Sequence, residues 1–415
     1  MSDGKYEHRK SRLTVILSNP DGSPAVNQPV SIDQTRHQFL FGTSCFELEE
    51  LVGGNRDGTP ISPRRKEFLQ DRMEKITALL NYATLPFYLG RYEPEEGNPD
   101  KRRMMSAAKW LKDRNVLSKG HPLCWHTMCA NWLMNYSNED ILRRQLERID
   151  RDVATYKGDV DIWDVINEVV IMPIFDKYDN AITRICKELG RASIVREVFN
   201  SARKANPGAT LVINDFNVSA NYEILIDGCL QSGAPIDVIG IQSHQHQGYW
   251  GLEKINEVLE RFSHFGKPLH FTENTIISGD IMPSHITDLN DWQVPEWPST
   301  PEGEDRQARE TLEMYEALFA HPSVEAITFW DPADGMWLGA PAGIIRKDNS
   351  IKPVYEALME KIKGDWWTRA SLATNEAGEI DFCGFRGDYR IRSSNGTANF
   401  TLSGKDAVLN LTLSK

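Results

Sequence analysis

Between residues 37 and 362, short runs rich in Val, Ile, Leu and aromatic side chains alternate with longer stretches whose apolar residues recur at helical spacing. That alternation is the pattern of βα units around a parallel sheet. It predicts strands at 37–43, 80–86, 117–125, 160–166, 210–214, 237–243, 268–272 and 326–329, with helices over 102–114, 140–156, 182–204 and 306–320 separating most of them. Eight such repeats predict an α/β fold of the (β/α)8 (TIM) barrel type. The competing architecture is an open doubly wound sheet, which in its dinucleotide-binding form would carry a Gly-rich turn after the first strand. Phe41-Gly42-Thr43 is not such a turn.

The two ends follow another rhythm. Residues 13–17 and 30–32 read as strands joined by a loop containing Asn19-Pro20-Asp21-Gly22. Beyond about residue 365 the helical period vanishes, and β-prone runs appear at 379–382, 389–391, 398–401 and 408–413. The expected organisation is therefore an N-terminal hairpin segment (1–36), a catalytic barrel (37–362) and a C-terminal β-rich segment (363–415). The two end segments are expected to pair as a small structural appendage, because a lone hairpin is marginal.

Composition narrows the function. The 415 residues, 40% hydrophobic and 26% charged, suit a globular chain, and no apolar run approaches the roughly 18 residues of a membrane span. A net charge of −12 argues against nucleic acid, whose binding needs Lys and Arg to neutralise phosphates. Six scattered cysteines without a Cys-x-x-Cys pair favour neither a zinc site nor a disulfide framework. The polar N-terminus shows no apolar signal core, so the chain as it begins reads as cytoplasmic, or as secreted if a leader preceded it.

Chemistry concentrates at strand ends. Trp163-Asp164-Val165-Ile166-Asn167-Glu168 and His270-Phe271-Thr272-Glu273-Asn274 each run from β-prone residues into a glutamate. In a barrel of this type the strand C-termini build the active site. Two carboxyl groups there suit cleavage of a glycosidic bond, one protonating the leaving oxygen and the other attacking the anomeric carbon, with no cofactor or metal required. His121 and His126 end the third strand together with Trp125, Asn214 and Asp215 end the fifth, Gln242 and His244 the sixth, and Trp330 and Trp337 follow the eighth. Taken singly, each glutamate is most often a solvated carboxylate and each histidine a buried, hydrogen-bonded one. A three-histidine zinc site finds no matching ligand spacing. The tryptophans suit a sugar-stacking platform, since flat apolar rings match the C–H faces of pyranoses.

At these residues the chain resembles the family 10 glycoside hydrolases, the xylanase family. Trp163 to Glu168 match its Trp-Asp-Val-x-Asn-Glu acid/base motif and Thr272-Glu273 its nucleophile motif. Gly120 to His126 match Gly-His-x-Leu-x-Trp-His, and Gln242 to His244 match Gln-Ser-His. The resemblance covers roughly residues 37–362. It implies Glu168 as general acid/base and Glu273 as nucleophile of a retaining hydrolase, most simply an endo-β-1,4-xylanase acting on a β-linked oligo- or polysaccharide. It further implies Asn167 on the substrate 2-hydroxyl, His244 against Glu273, Gln242 and Asn214 in support, and His121, Trp125, His126, Trp330 and Trp337 toward substrate. Glu168 is then expected to hold its proton near neutral pH, partly through the charge of Glu273.

The match fails after the second strand. The family carries Glu-Asn-x-x-Lys there, holding sugar on the non-reducing side of the cleaved bond, whereas this chain has Phe87, Tyr88 and Leu89 within a stretch running to Pro94. Loss of hydrogen-bonding groups is expected to weaken hydroxyl recognition on that side, pointing to a decorated or unusual β-glycoside. An exo-acting or short-oligosaccharide β-glycosidase is the alternative enzyme. A non-catalytic carbohydrate-binding barrel is the alternative outside enzymes, and retention of both glutamates argues against it.

Overall fold

The computed structural model describes residues 4–405 and 407–415. Along the chain come β1 (Lys10–Ser18), β2 (Pro29–His37), β3 (Leu40–Ser44), β4 (Tyr82–Pro86) and β5 (Leu117–His121). Then follow β6 (Ile162–Asn167), β7 (Thr210–Asp215), β8 (Val238–Gln245), β9 (Leu269–Ile276) and β10 (Val324–Phe329). The last are β11 (Arg369–Ala373), β12 (Glu379–Phe385), β13 (Gly387–Ser393), β14 (Gly396–Leu402) and β15 (Val408–Thr412). The chain divides into two compact units, Phe41–Val354 on the one hand and residues 4–40 with Tyr355–Lys415 on the other.

In the larger unit β3 to β10 close into a parallel barrel in chain order, β10 meeting β3. Helices between the strands start where side chains satisfy their free N–H groups. Ser62 caps Pro63–Leu79, Ser137 caps Asn138–Thr155, and Thr300 caps Pro301–Ala320, with Pro in the first turn of the first and third. The expected single helix over 182–204 is two, Ala181–Leu189 and Arg191–Ala205, because Gly190 adopts a left-handed φ of 80° that ends the first. The third strand is also shorter than expected: β5 stops at His121, and beyond it only Cys124 bridges to Ile166.

The barrel interior is polar as well as packed. Lys119 and Asp164 lie there with no solvent exposure, Nζ to Oδ2 at 2.6 Å. Gly120 permits the neighbouring strand to approach, since a Cβ there would sit 2.1 Å from Trp163 Cζ3. Phe87 packs among Tyr92, Tyr156 and Trp163, its ring centroid 4.9 Å from that of Trp163.

The smaller unit joins both chain ends. β12-β1-β15 form one sheet and β11-β2-β13-β14 another. Leu13, Val15 and Leu17 of β1 alternate inward and meet Ile32, Phe382, Tyr389, Ile391 and Phe400 in one buried cluster drawn from both sheets. β11, Arg-Ala-Ser-Leu-Ala, escaped the sequence reading because it is largely exposed and poor in β-branched residues. Among the described residues no helix is long and apolar enough to cross a membrane.

Candidate active site

The strand C-termini surround a cavity of about 1420 Å³ lined by Glu168, Glu273, Asn167, Gln242, His244, His121, Trp125, His126, Trp330 and Trp337. The structure thus brings the anticipated residues to one place. Asn214 stands behind them, donating from Nδ2 to Glu273 Oε1 at 2.8 Å and to Asn167 Oδ1 at 2.9 Å.

Local backbone geometry explains how two consecutive residues both face the cavity. Successive strand residues point to opposite sides, yet Asn167 and Glu168 both line it. Glu168 adopts φ 56°, a left-handed conformation unfavourable for a non-glycine residue. Its N–H donates to the Asn214 carbonyl at 2.8 Å, which holds the turn. Asp215 secures the next residues by accepting the Val170 N–H at 2.9 Å.

The two carboxyl groups have opposite surroundings. Glu168 Oε2 accepts the Trp125 indole N–H at 2.9 Å, and Oε1 lies 3.2 Å from both Gln242 Nε2 and Asn167 Nδ2. Burial, and then the nearby charge of Glu273, push Glu168 up to about 8 despite these donors. Glu273 is more deeply buried, its side chain 5% exposed against 15% for Glu168, and burial alone would raise it. The hydrogen bond from His244, Nε2 to Oε2 at 3.0 Å, and the charges of His121, His244 and Lys119 outweigh burial and hold Glu273 below the ordinary carboxylate value. The histidine beside it is positioned in turn: His121 Nδ1 contacts Asp164 Oδ2 at 2.7 Å, while its Nε2 is 4.0 Å from Glu273. Burial lowers His126 to about 4, so it is neutral near pH 7; its ring rests 4.5 Å from Phe175.

Aromatic walls flank this pair. Trp337 packs on His244 at 4.5 Å between centroids, and Trp330 on His121 at 5.2 Å. Sequence reasoning passed over Phe46 and Lys119, and treated Asp164 only as part of a motif. Phe46 follows β3 with no pattern to mark it, yet meets Trp330 at 5.4 Å and Tyr88 at 5.8 Å on the cavity wall. Of the apolar trio after β4, Tyr88 alone lines the cavity; Phe87 and Leu89 are buried elsewhere. Of the residues standing where the family has hydrogen-bonding groups, one therefore faces the cavity, because backbone alternation and the short helix Leu89–Tyr92 turn Phe87 into the core.

A (β/α)8 barrel holding one protonated and one ionised carboxyl in a single strand-end cavity is of the glycosidase type. The chain belongs to glycosyl hydrolase family 10, whose model matches residues 62–361. It is similar to endo-1,4-β-xylanase C of Paenibacillus barcinonensis, 26% identical over 346 residues that cover 74% of this chain and 30% of that protein. Endo-1,4-β-xylanase B of the same organism is 30% identical over 244 residues, 54% of this chain and 68% of that protein. The chain therefore spans less than a third of the first relative's length and about two thirds of the second's. Xylanase 10B from Thermotoga petrophila RKU-1, solved in complex with xylobiose, shares the fold at a TM-score of 0.63 and 20% identity, over 79% of this chain and 95% of that one.

Proposed function

We propose that the chain hydrolyses β-linked glycosidic bonds with net retention, as an endo-1,4-β-xylanase-type enzyme in which Glu168 is the general acid/base and Glu273 the nucleophile. The observation that carries this reading is the opposite electrostatic setting of two carboxyls facing one cavity, Glu168 raised to about 8 and Glu273 lowered. Such a pair supplies a proton donor and an anionic nucleophile at the same pH.

In the first step a Glu273 carboxylate oxygen bonds to the anomeric carbon while the glycosidic C–O bond breaks, and the Glu168 proton passes to the departing oxygen. In the second, Glu168, now ionised, takes a proton from water, whose oxygen displaces Glu273 from the same carbon. Two inversions give net retention. His244 and Asn214 keep the Glu273 oxygens oriented, and Asn167, itself held by Gln242 and Asn214, meets the sugar 2-hydroxyl. Trp330, Trp337, Trp125, His121 and His126 surround the sugar rings.

A second reading, action on short oligosaccharides, is favoured by one observation. Lys177, on the loop after β6, reaches Asp288 at 2.5 Å and Asp291 at 2.8 Å on the loop after β9. Lys177 and Asp288 both line the cavity, so the bridge ties two of its wall loops together.

The test is turnover of linear xylo-oligosaccharides and xylan with proton NMR of the first-formed anomer. Glu168→Ala and Glu273→Ala are each expected to lower kcat at least 1000-fold, and azide to rescue Glu168→Ala on an activated aryl β-xyloside with a β-azide product. An α-configured first product, or near-parent activity in either variant, would overturn the assignment.

A further inference from the structure

The cavity is not uniformly charged. Where it is built by segments following β3, β4 and β10, it is lined by Arg56, Arg65, Arg72, Arg91, Arg103 and Lys347, with Glu47, Glu50, Asp331 and Asp334 as the lining carboxylates. These strands are adjacent in the barrel, so the cations occupy one end of the cleft, on the side of Tyr88 and Phe46.

Part of this cluster is committed to the fold. Arg65 is gripped by Glu50 at 2.8 Å through two nitrogens and by Glu47 at 2.9 Å. Arg72 holds Glu47 at 2.5 Å and Asn349 at 2.8 Å. The rest is underpaired. Arg91 and Arg103 share the buried Glu49, Arg103 also meets Asp100 at 2.9 Å, and Arg56 approaches that same Asp100 only to 4.0 Å. The Arg103 Nε–H is buried without a hydrogen-bond partner among the described residues. The exposed Lys347 ammonium has no ion-pair partner among them either. Asp334 is matched by the buried Lys352 at 2.9 Å, and burial raises Asp331 and favours its protonated form, so the six cations face Glu47, Glu49, Glu50 and Asp100 and leave two positive charges, in a chain whose net charge is −12.

A network serving only the fold would be expected to balance, because uncompensated like charges in an enclosed cleft repel. Neutral sugar hydroxyls do not supply the missing charge; a carboxylate does, and guanidinium forks match it in shape as well as sign. The catalytic end cannot take that role, since ionised Glu273 repels an anion there. We propose that the end of the cleft walled by Arg56, Arg91, Arg103 and Lys347 binds a carboxylate carried by the substrate, a uronic acid unit or uronosyl branch on the chain being cleaved. This rests on reading the cavity as a glycosidase site and names a substrate class for it.

The experiment compares two ligands that differ at one group: a xylo-oligosaccharide bearing a glucuronic acid branch, and the same molecule with that carboxyl reduced to the alcohol. Binding to the full chain carrying Glu273→Gln is measured by calorimetry at about 20 mM and about 500 mM salt. The acid form is expected to bind at least tenfold more tightly at low salt, with most of that advantage lost at high salt. Arg91→Met would report directly but strips the buried Glu49 of a partner, so Arg56→Met and Lys347→Met, both at exposed side chains, carry the test. Each is expected to reduce the acid preference about threefold at an unchanged melting temperature. Equal affinity for the two ligands, no binding of either, or a preference indifferent to both substitutions would overturn the proposal. Failure of the hydrolase reading shows separately, as parent enzyme that cleaves neither ligand nor an aryl β-xyloside.

Discussion

Lys119 and Asp164 form an ion pair in the barrel interior, 2.6 Å apart with neither side chain exposed, and the pair bears on the two cavity carboxyls through His121. Asp164 Oδ2 takes both the Lys119 ammonium and His121 Nδ1. The Lys119 charge in turn contributes to holding Glu273 ionised. Lys119→Met leaves Asp164 buried without its cation, and breaking one half of a buried pair costs on the order of 3–5 kcal/mol. Chemical denaturation is expected to show a loss of that size. Retained stability would mean that the pair contributes nothing net. In the surviving folded fraction the acid limb of the rate profile should move upward, as Glu273 loses a supporting charge.

The pH profile follows from the two carboxyls. In the proposed mechanism kcat/KM requires Glu273 ionised and Glu168 protonated. Rate should rise through an acid limb below pH 4.5 and fall through an alkaline limb near pH 8, the values being set by the lowered Glu273 and the raised Glu168. Trp125 donates to Glu168 and favours its ionised form. Trp125→Phe removes that donor, so the alkaline limb should move to higher pH. A limb that stays fixed or moves down would show that the indole does not act on Glu168.

The raised pKa of Glu168 also carries a stability cost. Folded Glu168 keeps its proton up to about pH 8, whereas in the unfolded chain it titrates near 4.5. Between those values the folded state binds more protons, so this group's contribution to stability falls as pH rises. Glu168→Gln removes that contribution. The variant should match the parent below about pH 4, then gain progressively on it up to pH 8, by on the order of a few kcal/mol. Melting temperatures measured across that range check the slope, and a constant difference between variant and parent would contradict the raised value.

What the sequence made legible was periodic or clustered. The barrel strands announced themselves through runs such as Leu211 to Ile213, and strand-end polar residues such as Asn167 and Gln242 could be placed by position alone. The helix break at Gly190 was hidden because apolar spacing continues across it, as was β11, whose side chains are mostly exposed. The fate of Phe87 was illegible for a different reason. An apolar residue next to a strand end suits the core and the cleft equally well, and three-dimensional packing against Trp163 decides between them. Charge pairing across the cleft, as between Lys177 and Asp288, joins residues too far apart in sequence for spacing to reveal.

Gly120 offers a test of the barrel wall. Adding a methyl group would place Cβ within 2.1 Å of the buried Trp163 ring, which is confined by Phe87 and Tyr156. A clash with a fixed ring cannot be relieved by a flexible side-chain tip, and overpacking of this kind costs about 1–3 kcal/mol. Gly120→Ala is expected to lower the denaturation midpoint accordingly. Because His121 follows directly, kcat should fall as well. The combination Gly120→Ala with Trp163→Phe, which shortens the ring, should recover part of both losses, and failure to recover either would locate the damage elsewhere.

The Lys177 bridge makes a prediction about substrate length. Lys177 is partly exposed and paired with two carboxylates, so a surface pair of this kind contributes only about 0–1 kcal/mol to stability. Its larger consequence is geometric, since it ties the loop after β6 to the loop after β9. Lys177→Ala is expected to leave the melting temperature within about 2 °C of the parent and to raise kcat/KM for xylan relative to short xylo-oligosaccharides by several-fold. The charge reversal Lys177→Glu, which sets three carboxylates against one another, should open the loops further and raise the ratio more. Should both variants show the parent's ratio, the bridge does not limit chain length, and the cleft admits polymer with the two loops tied.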